Sequence, residues 1–462
     1  MTGMQSRSLL YALTLLLIWT VAPSSPAAKY HNLRYEDPPV EEVQTWSDRL
    51  KGLSLNETES VTLSLGGQAR LRWEFWENFG FAPDNDDDYG LLRLRLHGDA
   101  QFGKYVRVFA EGKSSLILGD RTLPGGNRAL DVDTLALQNG FVDLFFPSTQ
   151  GEGLTLRTGR QEMQFGRQRF VSPLDWANVR RTFDGIRAIT TLEERRFDVF
   201  WTEIVDVEKY DFNDVLSGSE LYGLYAAKLT PETPYAVDAY YLGLGSSDVT
   251  FGDKTGSESR HTLGFRAGRK GAETPWDTEL EAAFQFGTHA SRDIEAFAVA
   301  AQGGVKVEEW WANPRFYLGF DYASGDDGEG ALGTFNQLFP LGHAYLGHID
   351  IVGRQNIIDF SQGLFLWPVA GKKFIVKVEN HFFWRADSND ALYNAGGGVV
   401  RSGDAGSATE IGSELDFTFV YNHDANWALL GGYDHFFAGD FIKESGPSED
   451  IDFAYLSAQY TF

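Results

Sequence analysis

The chain has no cysteine, which excludes a disulfide framework, a thiolate metal site and a cysteine nucleophile. Beyond its first 28 residues it also lacks any stretch approaching the roughly 20 apolar residues that a helical span needs, so a helical membrane protein is excluded. Basic residues are scarce beside acidic ones: 40 Lys and Arg stand against 65 Asp and Glu, for a net charge of −25. No nucleic-acid partner is expected, because phosphates demand a basic face. Methionine is rare at three residues, whereas 50 glycines and an aromatic share of 14% describe a β-rich chain with many turns.

The first residues have the pattern of a secretory signal peptide, expected over 1–28. Arg7 supplies a positive start, Leu9 to Val21 is an apolar run, and small residues follow at Ser24, Ser25, Ala27 and Ala28. Residues 29–60 are expected to form a periplasmic N-terminal segment. There Pro38-Pro39 followed by Val40 to Leu50 suggests a short helix or a tether, too small for a domain.

From about Val61 onward the pattern changes to strict alternation, the mark of a strand with two unlike faces. In Leu92-Arg93-Leu94-Arg95-Leu96-His97 every second residue is aliphatic and the others are cationic. Ala69, Leu71, Trp73 and Phe75 share one face while Arg70, Arg72 and Glu74 share the other. Ile411, Leu415, Phe417 and Phe419 likewise oppose Gly412, Glu414, Asp416 and Thr418. A soluble sandwich would alternate in the same way, but three features favour a lipid-facing apolar side. Charges recur at mid-strand on strand after strand, as a wet lumen requires. Aromatic residues crowd strand ends at Trp73/Phe75/Trp76, Trp310/Trp311, Phe382/Phe383/Trp384 and His435/Phe436/Phe437. The chain also stops inside a strand ending in Phe462, like the terminal segment read by the outer-membrane assembly machinery.

The expected fold is therefore all-β: a transmembrane up-and-down antiparallel barrel over 61–462, with about 18 strands and 16 as the alternative count. An even number puts both barrel ends on the periplasmic side. Tight links at Phe102-Gly103-Lys104, Thr230 to Pro234, Gly271 to Trp276, Pro368 to Lys372 and Asn422 to Asn426 carry turn residues. The longer loops 118–134, 164–181, 325–354, 387–408 and 439–450 would face outside. The expected location is the outer membrane of a Gram-negative-type cell, among lipid and lipopolysaccharide.

Several runs resemble the alginate export family of outer-membrane proteins. They include Leu63-Ser64-Leu65-Gly66-Gly67-Gln68-Ala69-Arg70-Leu71-Arg72-Trp73-Glu74 and Gly159-Arg160-Gln161-Glu162 with Phe165-Gly166-Arg167-Gln168-Arg169. Pro173-Leu174-Asp175-Trp176-Ala177-Asn178, Phe335-Asn336-Gln337-Leu338-Phe339-Pro340 and Gly431-Gly432-Tyr433-Asp434-His435-Phe436-Phe437 continue the likeness in order. The resemblance implies a monomeric barrel of about 18 strands with an arginine-lined route for a polyuronate.

The residues themselves supply a matching clue: 16 of the 27 arginines lie between Arg70 and Arg196. Strand parity puts Arg70, Arg72, Arg93, Arg95 and Arg107 on one side of a lumen, and Arg157, Arg160, Arg167, Arg169, Arg180, Arg181 and Arg187 follow. A guanidinium stays charged and offers forked donors matched to carboxylates, so a ladder of them would pass a uronate chain from one to the next. The same arginines would equally serve to brace the barrel by pairing with Glu74, Glu111, Glu162, Glu414 and Asp416. The run Arg167 to Arg181 is either a constriction folded into the lumen or an ordinary surface loop.

No cofactor or metal site is expected. Asp84-Asn85-Asp86-Asp87-Asp88 lacks the glycine and the distal acid of an EF-hand, since Tyr89 and Arg95 stand there, and Asp326-Asp327-Gly328-Glu329 suits a solvated loop. His343 and His348 lack the glutamate of a zinc-hydrolase helix, so loop packing is favoured. No Ser/His/Asp constellation, phosphate-cradling loop or paired-carboxylate motif supports an enzyme. Two channel functions remain: export of an anionic, alginate-like polysaccharide, and uptake of small solutes or oligosaccharides by a general or anion-selective porin.

Overall fold

The structure is a computed structural model, and it describes residues 30–40, 42–148, 153–228, 235–251, 254–269, 274–369 and 373–462. The signal-peptide expectation, the turn 230–234 and parts of the turns at 271–276 and 368–372 lie outside those residues.

From Val61 the chain runs through 18 antiparallel strands, each hydrogen-bonded to the next. They are β1 (Val61–Glu77), β2 (Asp87–Phe102), β3 (Val106–Leu118), β4 (Asp133–Pro147), β5 (Gly153–Gln161), β6 (Phe183–Leu192), β7 (Arg195–Val205), β8 (Val215–Lys228) and β9 (Tyr235–Phe251). The second half comprises β10 (Lys254–Arg269), β11 (Trp276–His289), β12 (Arg292–Lys306), β13 (Arg315–Ala323), β14 (Ile357–Leu366), β15 (Phe374–Trp384), β16 (Glu410–Asn422), β17 (Trp427–Ala438) and β18 (Ile451–Thr461). The ring closes where β1 pairs with β18, from Gln68 opposite Thr461 to Glu77 opposite Asp452. Closure leaves no edge strand to template aggregation.

Alternation sets the two faces. Leu94 and Leu96 of β2 are exposed while Arg93 and Arg95, which alternate with them, are buried, and β1 repeats this with Leu71 and Phe75 outside, Arg70, Arg72 and Glu74 inside. An outer surface of leucine, valine and phenylalanine around a charged interior inverts the arrangement of a soluble protein, and it fits a barrel with acyl chains outside and water within. Phe102, Tyr105, Tyr235, Trp276, Trp310, Trp311 and Trp427 stand exposed near the rim of short turns, as a boundary belt.

The aromatic clusters at strand ends divide by parity rather than all facing lipid. Phe75, Phe382 and Phe437 point outward, whereas Trp76, Phe383 and Phe436 are buried inside. Ile411 is also a correction: it is fully buried, although plain alternation groups it with Phe417. A bulge explains it, since Phe383 pairs with Gly412 but Trp384 pairs with Glu410, leaving Ile411 unpaired and turned inward.

The N-terminal segment is a lodger in the barrel and not a helix. Among the described residues its elements are 3-10 turns at Arg34–Glu36 and Trp46–Leu50 and a two-residue strand, Leu53–Ser54, paired to β1. Leu33 and Tyr35 are buried against Phe109 and Phe141 of the inner wall. Arg34 donates to the carbonyls of Gly67 at 3.0 Å and Phe462 at 2.9 Å, fixing the segment at the closing seam.

Candidate functional site

Long connections do not simply stand outside the barrel: residues 162–182, between β5 and β6, turn into it. Arg70 donates to the carbonyls of Asp175 at 2.7 Å and Ala177 at 2.8 Å, and Arg72 donates to that of Trp176 at 2.6 Å. Arg93 pairs with the Asp175 carboxylate at 2.7 Å. Asn178 donates to backbone carbonyls of Asp131 and Leu92, and its own carbonyl accepts from Ser115 at 2.8 Å. Arg180 grips Glu162 at 2.6 Å and also contacts Asp175. Burial works against the charge on Asp175, but Arg93, Arg180 and Arg70 outweigh it and hold the carboxyl well below the ordinary range.

Most of the sequence-selected arginines are thus committed to protein partners. Arg95 meets Glu111 at 2.7 Å and Glu162 at 3.3 Å. Arg107 pairs with Asp99 at 2.8 Å, while Arg157 with Asp143, Arg187 with Asp198 and Arg160 with Asp184 each lie at 2.7 Å. Arg160 belongs to β5 and not to the following loop. Arg169 bridges Glu279 and Glu281, and Arg181 donates to the Ser172 carbonyl at 3.1 Å. Arg167 differs, with a side chain 54% exposed and a looser 3.4 Å contact to Glu279. The group divides into many bracing residues and one that reaches open water.

A second inward loop, 324–356 between β13 and β14, meets the first. Phe339 N–H donates to the Phe170 carbonyl at 2.9 Å, and Trp176 stacks on His343 with ring centres 3.6 Å apart. His343 in turn stacks on His348 at 4.6 Å. Burial and the neighbouring His348 hold His343 well below the usual imidazole range. For His348 burial opposes the charge, yet Asp416 and Asp434 push it up to about 9. Phe335, Leu346, Ile349, Ile411, Phe436 and Phe441 build a single apolar core where the long loops cross the barrel.

Below these loops a cavity of about 640 Å³ remains between them and the strands from β10 onward. Its wall includes Arg167, Arg315, Lys377, Tyr345, Phe365 and Trp367. Arg315 is neutralised by Asp277 at 2.7 Å, and Glu379 accepts from the Tyr317 hydroxyl at 2.6 Å. Among the described residues no carboxylate oxygen lies within 4 Å of the Lys377 ammonium, which sits 5.1 Å from the Phe365 ring centre. Arg315 and Lys377 escape a search guided by arginine density, but their inward parity on β13 and β15 marks them.

The model of the alginate export family matches residues 61–454. The chain belongs to the alginate export family. No curated protein matches it in sequence. Among solved structures it resembles OccD3 (OpdP) of Pseudomonas aeruginosa, with TM-score 0.58 at 10% identity over 86% of this chain and 91% of that one. OpdK of the same organism, solved with vanillate, gives 0.57 at 12% identity over 86% and 98%. OccK11 (OpdR) gives 0.55 at 11% over 87% and 96%. These likenesses are of fold. Family and barrel together make this member an outer-membrane channel.

Proposed function

We propose that this alginate export family member conducts acidic saccharides, chiefly uronate chains, through the lumen cavity. The observation that carries it is the combination at that cavity of exposed Arg167 and unpaired Lys377 with the rings of Tyr345, Phe365 and Trp367. Cations answer carboxylates, and flat rings suit the apolar faces of sugars. Several weak contacts permit movement where one tight site would trap the chain. The arginines from Arg70 to Arg187 act mainly as the frame that holds the constriction, and Arg167 faces the solute. A cavity of this volume falls in the range of about 300–1,000 Å³ typical of small-ligand sites, so a polymer must displace part of loops 162–182 and 324–356 to pass.

Reversal potentials in planar bilayers under a salt gradient test this. Anion preference and partial block by oligouronates are expected, both weakened in the Arg167→Glu/Lys377→Glu double variant. Cation preference with no block would remove the proposal. A second reading, uptake of small carboxylates, draws support from the fold shared with OpdK, whose structure holds vanillate. Liposome swelling separates them: fast entry of monomeric acids with no effect of polyuronate favours uptake.

A further inference from the structure

Three acidic side chains meet inside the barrel wall with little to neutralise them. Glu414 and Asp416 project from β16 and Asp434 from β17, and none is more than 1% exposed. Neither carboxylate oxygen of Asp416 has a hydrogen-bond partner, and Asp434 Oδ2 and Glu414 Oε2 are also unpartnered. A buried anion without a donor costs far more than it returns, so such groups in a native interior either share a proton or meet a cation. Among the described residues the one basic group in contact is His348, whose Nδ1 lies 3.3 Å from Asp434 Oδ1. Other nearby bases are engaged elsewhere: Arg72 with Glu74 at 2.6 Å, His381 with Asp359 at 3.0 Å and His343 with Asp350 at 3.2 Å.

We propose that His348, Asp416 and Asp434 form a binding site for one divalent metal ion of the borderline class, such as zinc or cobalt, that takes imidazole and carboxylate ligands together. One ligand atom from each of the three lies within 4.8 Å of the others. Ligands held at about 2.0–2.2 Å from a metal stand about 3–4 Å apart, so the observed 3.3 Å between His348 and Asp434 already fits. Calcium is disfavoured, because it seeks six to eight oxygen ligands and not an imidazole. Glu414 supplies the supporting contact: Oε1 accepts the Ile349 N–H at 2.8 Å, orienting the loop that carries His348. Gly347 allows this approach, since a Cβ there would fall 2.4 Å from the Glu414 carboxyl carbon and its φ is +82°.

The site joins two wall strands to loop 324–356, which roofs the cavity. A bound ion would clamp that roof to the wall, whatever solute passes. The clamp is thus independent of the proposed substrate.

The full-length barrel, folded in detergent and stripped with a chelator, is titrated with Zn²⁺ and with Co²⁺ by calorimetry. One equivalent is expected to bind wild type, with affinity reduced at least about 100-fold in Asp416→Asn and in His348→Gln. Folding of each variant is checked by heat-modifiable mobility. Should a variant fail to fold, Zn²⁺ protection of His348 against diethylpyrocarbonate in wild type, read by mass spectrometry, gives the same answer. No saturable binding, binding retained by both variants as at the exposed acidic loops, or unchanged His348 reactivity would each overturn the site.

Discussion

Arg180 and Glu162 form a two-pronged ion pair sealed from water: Nε lies 2.6 Å from Oε1 and Nη2 lies 3.0 Å from Oε2, with neither side chain exposed. Arg180 also donates to the Asn32 side chain at 2.8 Å, and Glu162 also takes Arg95. One pair therefore ties the inward loop to the wall and to the N-terminal segment. Removing one member of a buried pair leaves the other uncompensated, at about 3–5 kcal/mol. Arg180 keeps Asp175 and Arg95 keeps Glu111, so Glu162→Gln is expected to cost the detergent-folded barrel up to about that much, read as a lower urea midpoint, whereas Glu57→Gln, at an exposed position, leaves the midpoint in place.

The contacts from Arg70 and Arg93 to the backbone of Asp175 and Ala177 have a consequence for flow. They hold loop 162–182 across the lumen. The double variant Arg70→Ala/Arg93→Ala is expected to release it and raise single-channel conductance. Unaltered conductance together with unaltered proteolysis of the loop would mean that other contacts hold it alone.

Much of the barrel was legible because parity is a hard constraint: a one-residue slip exchanges lipid and water for a whole strand. Leu94 beside Arg95 could be placed from the sequence, as could the strand order and its closure. Ile411 could not, because a bulge resets parity without altering composition. For Arg167 to Arg181 an inward course was one of two readings, while the inward course of 324–356 and the contacts that fix both loops were hidden. Arg70 meets Asp175 across 105 residues, and His348 meets Asp434 across 86, with no local pattern to announce either. The density of arginines left two roles open, a ladder for the solute and a brace for the barrel. In the structure Arg70, Arg72 and Arg93 hold the loop, whereas Arg107, Arg157, Arg160 and Arg187 pair within the wall.

The bulge itself is open to test. Gly412 has φ +143°, and a Cβ there would fall 2.1 Å from the Phe437 carbonyl oxygen. Gly412→Val is expected to destabilise the folded barrel by about 1–3 kcal/mol through backbone strain, seen as a lower urea midpoint. Ile411→Ala should act differently, through a cavity in the apolar core, at about 2–5 kcal/mol.

The lipid face makes a further demand. Leu96 is 66% exposed on the outer surface of β2. Arginine on the lipid side near the midplane costs about 2–4 kcal/mol, so Leu96→Arg is expected to reduce stability by that amount in phospholipid vesicles. The measurement is equilibrium unfolding in urea against wild type.

Because the chain has no cysteine, single cysteines can be placed anywhere without background. The most direct measurement is depth-resolved quenching of a fluorophore attached at Leu96→Cys, Leu318→Cys and Phe417→Cys, compared with Gln302→Cys and Ser361→Cys at the lumen cavity. Brominated acyl chains should quench the first three and aqueous iodide the last two. Quenching by iodide at Leu96, Leu318 and Phe417 with none by lipid would contradict the account at its root.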